Sequence, residues 1–200
     1  MILAGGRARR MNGADKPMLP LAGKPLIRHA VECASSQVDE LLINANGDVT
    51  RFAGLGHEII PDRHDGYLGP LAGMLACFEW VKENREDAEW LVSFACDCPF
   101  MPRDVVRRLI DAAHSRDVPI AVAASGGQHH PVFAAWSMRL PLESEDVLQT
   151  RGLRKVDHLI EAFPNTRVEF ASMPVDPFFN INTPADLVRA ESLISERAGG

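Results

Sequence analysis

The chain opens Met1-Ile2-Leu3-Ala4-Gly5-Gly6-Arg7-Ala8-Arg9-Arg10-Met11-Asn12-Gly13-Ala14-Asp15-Lys16, and the reading of this stretch decides the fold. A short apolar run drops into a glycine pair; three arginines, Gly13, Asp15 and Lys16 follow. Glycine permits φ > 0 and a close approach of backbone to ligand. Successive backbone N–H groups in such a turn make an anion-binding concavity. Arginine and lysine add positive charge, arginine with a fork that fits phosphate oxygens. Strand, glycine turn and bases together read as a polyphosphate cradle at the end of the first strand of an α/β sheet. The competing reading is an ordinary Gly-rich βα turn with solvated arginines.

The distribution of charge supports the cradle. Residues 1–24 hold five bases and one acid, a local +4, against −10 for the rest of a chain whose net charge is −6. A positive locus on an acidic body suits one small anionic ligand and argues against a nucleic-acid partner. The 200 residues fit one domain, 1–200, with 197–200 as a frayed tail. No apolar run approaches the roughly 18 residues of a membrane span. Nor does a basic segment precede an apolar core at the N-terminus. The expectation is a cytoplasmic protein without a membrane partner. Met1 stands at what reads as mid-strand, so the first strand is short or its start trimmed. Cys33, Cys77, Cys96 and Cys98 form no spaced framework and read as reduced thiols. The lone Cys96-x-Cys98 pair is weak evidence for a metal.

Outward from the cradle, strands and helices alternate. Leu26, Ile27, Ala30, Val31 and Ala34 recur on one helical face behind Pro25. Residues 40–44 and 57–61 read as buried strands, closed by Asn44 and Asp62. Gly69 opens a helix to about Asn84, with Leu71, Met74, Leu75, Phe78 and Val81 inward. Residues 90–95 are the most strand-like run and deliver Asp97; a helix over 103–115 follows. Strands at 118–124 and 130–136 flank a hairpin-like turn, and helices are expected over 142–150 and 153–163. A strand at 166–171, an extended 178–182 and a helix capped by Thr183, with Pro184 first, complete the chain. This is the pattern of βαβ units: a three-layer α/β/α sandwich, Rossmann-like, with a mostly parallel sheet and an antiparallel hairpin element at one side.

Open α/β sheets bind ligands beyond the carboxyl ends of their strands. Gly5, Gly6, Asn44, Asp62 and Asp97 each follow a strand, which places them on one edge. A carboxylate facing a phosphate cradle fits a shared Mg²⁺, which takes few carboxylates and several water and phosphate oxygens. Asp97 is the candidate; the alternative is a turn acid before Pro99. Asp62, after Pro61, has the same alternative.

These residues resemble the molybdenum cofactor guanylyltransferases (MobA type) of the nucleotide-diphospho-sugar transferase superfamily. That family opens Leu-Ala-Gly-Gly-x-x-x-Arg-Met-Gly-x-x-Asp-Lys; here the stretch is Leu3 to Lys16, with Asn12 at the family's glycine. Gly23-Lys24-Pro25-Leu26, Asn44-Ala45-Asn46, Gly69-Pro70-Leu71-Ala72-Gly73, Asp97-x-Pro99-Phe100-x-Pro102, His130-Pro131 and Asn180-x-Asn182-Thr183-Pro184 match in order. The resemblance implies transfer of GMP from GTP to molybdenum-bearing molybdopterin, with release of pyrophosphate. It implies Arg10 and Lys16 on the β- and γ-phosphates, and Leu3, Ala4, Gly5, Gly6, Lys16, Asn44, Asp62 and Asp97 as nucleotide contacts. Asp97 would hold Mg²⁺, with His130, Asn180 and Asn182 toward the pterin. Transient contact with other molybdenum-cofactor enzymes and with apo-molybdoenzymes goes with it. A molybdopterin cytidylyltransferase, a sugar-phosphate nucleotidylyltransferase and a non-catalytic nucleotide-binding subunit are the other readings. Arg10, Lys16 and Asp97 together speak against the last.

Overall fold

In the computed structural model, which describes residues 1–5, 15–64 and 69–198, β1 (Ile2–Leu3) is only two residues long yet is an interior strand of a seven-stranded sheet. It pairs in parallel with β4 (Leu42–Asn44) on one side and β6 (Trp90–Ala95) on the other. β5 (Glu58–Ile60) adds in parallel outside β4. The order across the sheet is β5-β4-β1-β6-β8-β7-β9, with β7 (Ile120–Ser125), β8 (Gln128–Ser137) and β9 (Asn165–Phe170) completing it. A separate hairpin joins β2 (Pro20–Leu21) to β3 (Lys24–Pro25). Its two turn residues, Ala22 and Gly23, have φ of 49° and 79°. Two positive φ values give a turn whose twist matches that of the strands.

The apolar stripes decide the layers. α1 (Leu26–Ala34) buries Leu26, Ile27, Ala30, Val31 and Ala34, the five positions its periodicity marks. With α3 (Val105–Arg116) it covers one face of the sheet, around Ile43, Phe94 and Ala121. α2 (Pro70–Asn84) and α4 (Val156–Glu161) cover the other, around Leu42, Val122 and Trp136. α2 is buried over nearly all of residues 71–78, so it is a core helix more than a surface one. A third cluster, Leu21, Leu26, Phe100, Ile181 and Ala190, fixes α5 (Pro184–Ala198) over the β2–β3 hairpin.

Two elements differ from the sequence pattern. The β7–β8 hairpin lies at one side of β6, as expected, but does not form the edge of the sheet. β8 is the antiparallel strand wedged between β6 and β7, and β9 pairs in parallel with β7 to form the edge. Pro131 sits in this interior strand because the β7–β8 register breaks there: Val122 faces Ala134 while Ala123 faces His130. Such an irregularity tolerates a residue that cannot donate to the ladder. The region expected to be a helix from 142 instead makes a π-helical turn, Asp146–Thr150, closed by Arg151 N–H on the Asp146 carbonyl at 2.9 Å. Its start is delayed because Leu142 is drawn into the core and Ser144 N–H is taken by Glu79 Oε1 at 2.5 Å.

Candidate active site

The register puts the strand ends level. Leu3 lies beside Asn44 and Ala95, and Asn44 beside Ile60. Gly5, Asn44, Asp62 and Asp97 therefore leave one edge of the sheet, as the sequence pattern requires. β7 runs the same way as β6, both being antiparallel to β8, so Ser125 at its end belongs to this edge too.

At its centre the Lys16 ammonium donates to Asp97 Oδ2 and, at 2.8 Å, to Asn182 Oδ1. Both charged side chains are largely enclosed, at 16% and 14% exposure. β6 delivers the acid: Cys96 and Cys98 turn into the core and leave Asp97 facing the edge. Lys16 starts a 3-10 turn, Lys16–Met18, anchored by the buried Pro17. The segment carrying Asn182 is stapled to the Asp97 loop. Ile181 N–H donates to the Asp97 carbonyl at 3.0 Å, and the Cys98 thiol to the Phe178 carbonyl at 3.5 Å. α5 begins there with a reciprocal cap. Asp186 accepts from Asn182 N–H and Thr183 N–H at 2.9 and 2.8 Å, and Thr183 Oγ1 accepts from Asp186 N–H at 3.2 Å. These bonds, the one from Asn182 N–H first, hold the Asp186 carboxyl below its ordinary pKa.

A second corner is built from amides. Asn44, 3% exposed, donates through Nδ2 to the Ile60 carbonyl at 3.0 Å and to Asp62 Oδ1 at 2.9 Å. Asn46 Nδ2 donates to Asp62 Oδ2 at 2.8 Å, and Asp62 N–H returns to Asn46 Oδ1 at 2.8 Å. Each oxygen of Asp62 thus receives an amide donor, so Asp62 shapes the Asn44–Asn46 loop. Glycine is required beside Asn44 at position 73, while position 5 lies at ordinary contact distance. A Cβ on Gly5 would sit 3.4 Å from Asn44 Oδ1, and one on Gly73 would be at 2.1 Å. Arg51 ties this corner to the lysine loop: its Nε lies 3.0 Å from Asp15 Oδ2, and Nη2 donates to the Asn46 carbonyl at 3.3 Å.

The residues expected toward a second substrate separate. Asn182 lies on Lys16, and Asn180 is exposed on the same segment. His130, half-buried, contacts Ser125 Oγ through Nε2 at 2.7 Å and stacks on Phe178 with ring centroids 4.6 Å apart. Burial pulls the His130 pKa down, against the pull of the Asp176 carboxylate. Gly6 and Arg10, like Arg7, Arg9, Asn12 and Gly13, lie outside the described residues. Arg51, Ser125 and Asp176 were not singled out from sequence. Gly73 stood in the Gly69–Gly73 motif, and the structure adds its reason: a glycine inside a helix costs roughly 1 kcal/mol against alanine unless a close approach requires it.

Among the described residues no group of three or more His, Cys, Asp or Glu side chains converges on a possible metal position. Burial pushes the Cys77 thiol up to about 12 and raises those of Cys96 and Cys98 well above the ordinary thiol range, so these three are protonated core groups. Asp97, a single carboxylate on this sheet edge, still fits a hard divalent cation such as Mg²⁺, which takes few carboxylates and fills its other positions with water and phosphate oxygens. No helix among the described residues is long and apolar enough to cross a membrane.

Comparison with known proteins agrees with this fold. A family model described as the MobA-like NTP transferase domain matches residues 1–164. A molybdenum cofactor guanylyltransferase of Rhodopseudomonas palustris (strain BisB5) is 46% identical over 193 residues, covering 96% of this chain and 92% of its own. One from Bradyrhizobium sp. (strain ORS 278) is 45% identical, covering 96% and 91%. The crystal structure of molybdopterin-guanine dinucleotide biosynthesis protein A from Archaeoglobus fulgidus superposes with a TM-score of 0.74 at 25% identity, covering 98% of this chain and 97% of that one.

Proposed function

The chain belongs to the MobA-like NTP transferase family, and on that premise we propose that it transfers GMP from GTP to molybdenum-bearing molybdopterin, giving the guanine dinucleotide cofactor and pyrophosphate. The observation that carries the reading is the contact of Lys16 with both Asp97 and Asn182, on the sheet edge that also bears Gly5 and Asn44. A triphosphate laid from the Gly5 turn toward Asp97 meets a cation, a carboxylate and exposed backbone at once.

The reaction asks little covalent work of the protein. The terminal phosphate of the pterin is already ionised near neutral pH, so one of its oxygens attacks the α-phosphorus of GTP without a strong base. As that P–O bond forms, the bond from the α-phosphorus to the α,β-bridging oxygen breaks, and its electron pair leaves with pyrophosphate. Positioning and charge neutralisation supply the catalysis. Lys16, with Arg10, binds the β- and γ-phosphates and stabilises the leaving group. Leu3, Ala4, Gly5 and Gly6 give backbone room beside the nucleotide. Asn44, held by Asp62, forms the wall against which it lies. Asp97 would hold Mg²⁺, which when bound neutralises phosphate charge. Asn180 is assigned to the acceptor side, and Asn182 joins that side to Lys16.

The test is pyrophosphate release from GTP, CTP and ATP with Mg²⁺ and molybdenum-loaded molybdopterin, alongside thermal-shift binding of each nucleotide. GTP should be preferred in both. Equal or better use of CTP would overturn the guanylyl assignment.

A further inference from the structure

Ser125 is 2% exposed and stands between two partners that the transfer chemistry does not use. Its Oγ lies 2.8 Å from Asp176 Oδ1 and 2.7 Å from His130 Nε2. A serine hydroxyl has one proton, and an ionised carboxylate only accepts. The hydroxyl therefore donates to Asp176, and the Nε2–H of His130 donates to the hydroxyl. Neutral His130 is thereby fixed as the Nε2–H tautomer, with its lone pair on Nδ1. Among the described residues, Nδ1 makes no hydrogen bond. Asp176 is itself held, accepting Phe178 N–H at 2.9 Å, and the Phe178 ring supports one face of the imidazole. Phe178 is in turn packed against Phe133 and Phe170, with centroids 4.8 and 5.3 Å away. The segment from Asp176 continues to Asn182 on Lys16, so this imidazole and the phosphate cation hang on one short stretch of chain.

We propose that Asp176 and Ser125 are positioning residues that present His130 Nδ1 as a hydrogen-bond acceptor to an N–H group of the acceptor substrate's heterocycle. The proposal rests on the transfer reaction described above for the acceptor's identity, but the tautomer does not. Charges facing the imidazole are Asp176 and Glu169, which favour its protonation, and His129, which opposes it. Protonation would turn Nδ1 into a donor and destroy the match.

Two-bond ¹H–¹⁵N correlation spectra of the full chain report which imidazole nitrogen carries the proton. Wild type should show Nε2–H with Nδ1 unprotonated, and Ser125→Ala should lose that preference. A dominant Nδ1–H form in wild type overturns the relay. In kinetics, Ser125→Ala should raise KM for the pterin acceptor roughly two- to tenfold, the worth of one hydrogen bond, with KM for GTP unchanged. Ser125→Thr, which keeps the hydroxyl, should restore it. Acceptor KM in wild type should also rise as pH falls through the His130 pKa, a dependence GTP should not share. A shift in KM for GTP instead would overturn the assignment to the acceptor side. Failure of the chain to transfer GMP at all, with the Nε2–H tautomer intact, would count against the proposed reaction and leave the relay standing.

Discussion

Replacing Gly73 with alanine sets two effects of opposite sign against each other at one atom. In an ordinary helix interior the change gains roughly 1 kcal/mol from propensity. Here the new Cβ would sit 2.1 Å from Asn44 Oδ1 and 2.6 Å from its Cγ, so the contact must open by about 1 Å to reach 3.0 Å, the floor of real Cβ contacts. Nothing nearby yields cheaply. Asn44 is held by donors at 3.0 and 2.9 Å to Ile60 and Asp62, and α2 is buried on both sides of Gly73. Overpacking of this kind costs about 1–3 kcal/mol, and swinging Asn44 away instead strands its bond to a carboxylate, worth roughly 1.5–3 kcal/mol. With the propensity gain subtracted, the expected net effect is a loss of up to about 2 kcal/mol, at roughly 2–4 °C of Tm for each. A raised KM for GTP should follow if the displaced amide is the nucleotide wall proposed above. Urea or thermal unfolding of Gly73→Ala, Asn44→Ala and the double variant reads the coupling directly. The double variant should be less destabilised than the sum of the singles, since removing the amide relieves the clash. A Gly73→Ala protein more stable than wild type, or strictly additive effects, would refute the reasoning.

Asp97→Ala should abolish transfer while leaving the unfolding transition near that of wild type; undiminished pyrophosphate release would remove Asp97 from the reaction. Lys16→Ala should lower kcat/KM for GTP by about 100-fold or more. Because Lys16 occupies the Asp97 carboxylate, the same variant should bind Mn²⁺ more tightly without nucleotide, measured by titration calorimetry; weaker binding would show that the two cations do not compete. Thr183→Ala should cost about 1 kcal/mol as a lost helix cap and, by loosening Asn182, raise KM for GTP. Asp186 has a depressed pKa in the folded state. Its contribution is therefore present above its ordinary value of 3.8 and lost as pH falls through the depressed one. Acid unfolding of Asp186→Ala should show a shallower pH slope there than wild type.

Local and repeating signals were legible in the sequence. The five inward positions of α1, the strand ends that carry Asn44 and Asp97, and the Thr183 cap each depend on residues a few places apart, where periodicity and side-chain chemistry suffice. The insertion of β8 between β6 and β7 was not legible, because a hairpin's own residues say nothing about which strand receives its outer edge. The same holds within the site. That Asn182 belongs to Lys16, 166 residues earlier, and that Asp176 belongs to Ser125 are facts of tertiary approach, without a spacing to announce them. Asp62 read as an acid at a strand end; only the geometry shows both its oxygens given to asparagine amides.

The bond between Lys16 and Asn182 also bears on synthesis. As the chain is made, β1 gains its second neighbour only when β6 has appeared, and Lys16 its Asn182 partner only 166 residues after itself. Until residue 182 has cleared the exit tunnel, the nascent polypeptide carries a basic loop without the carboxamide that orients its lysine. A chain truncated before residue 182 would therefore lack this partner of Lys16.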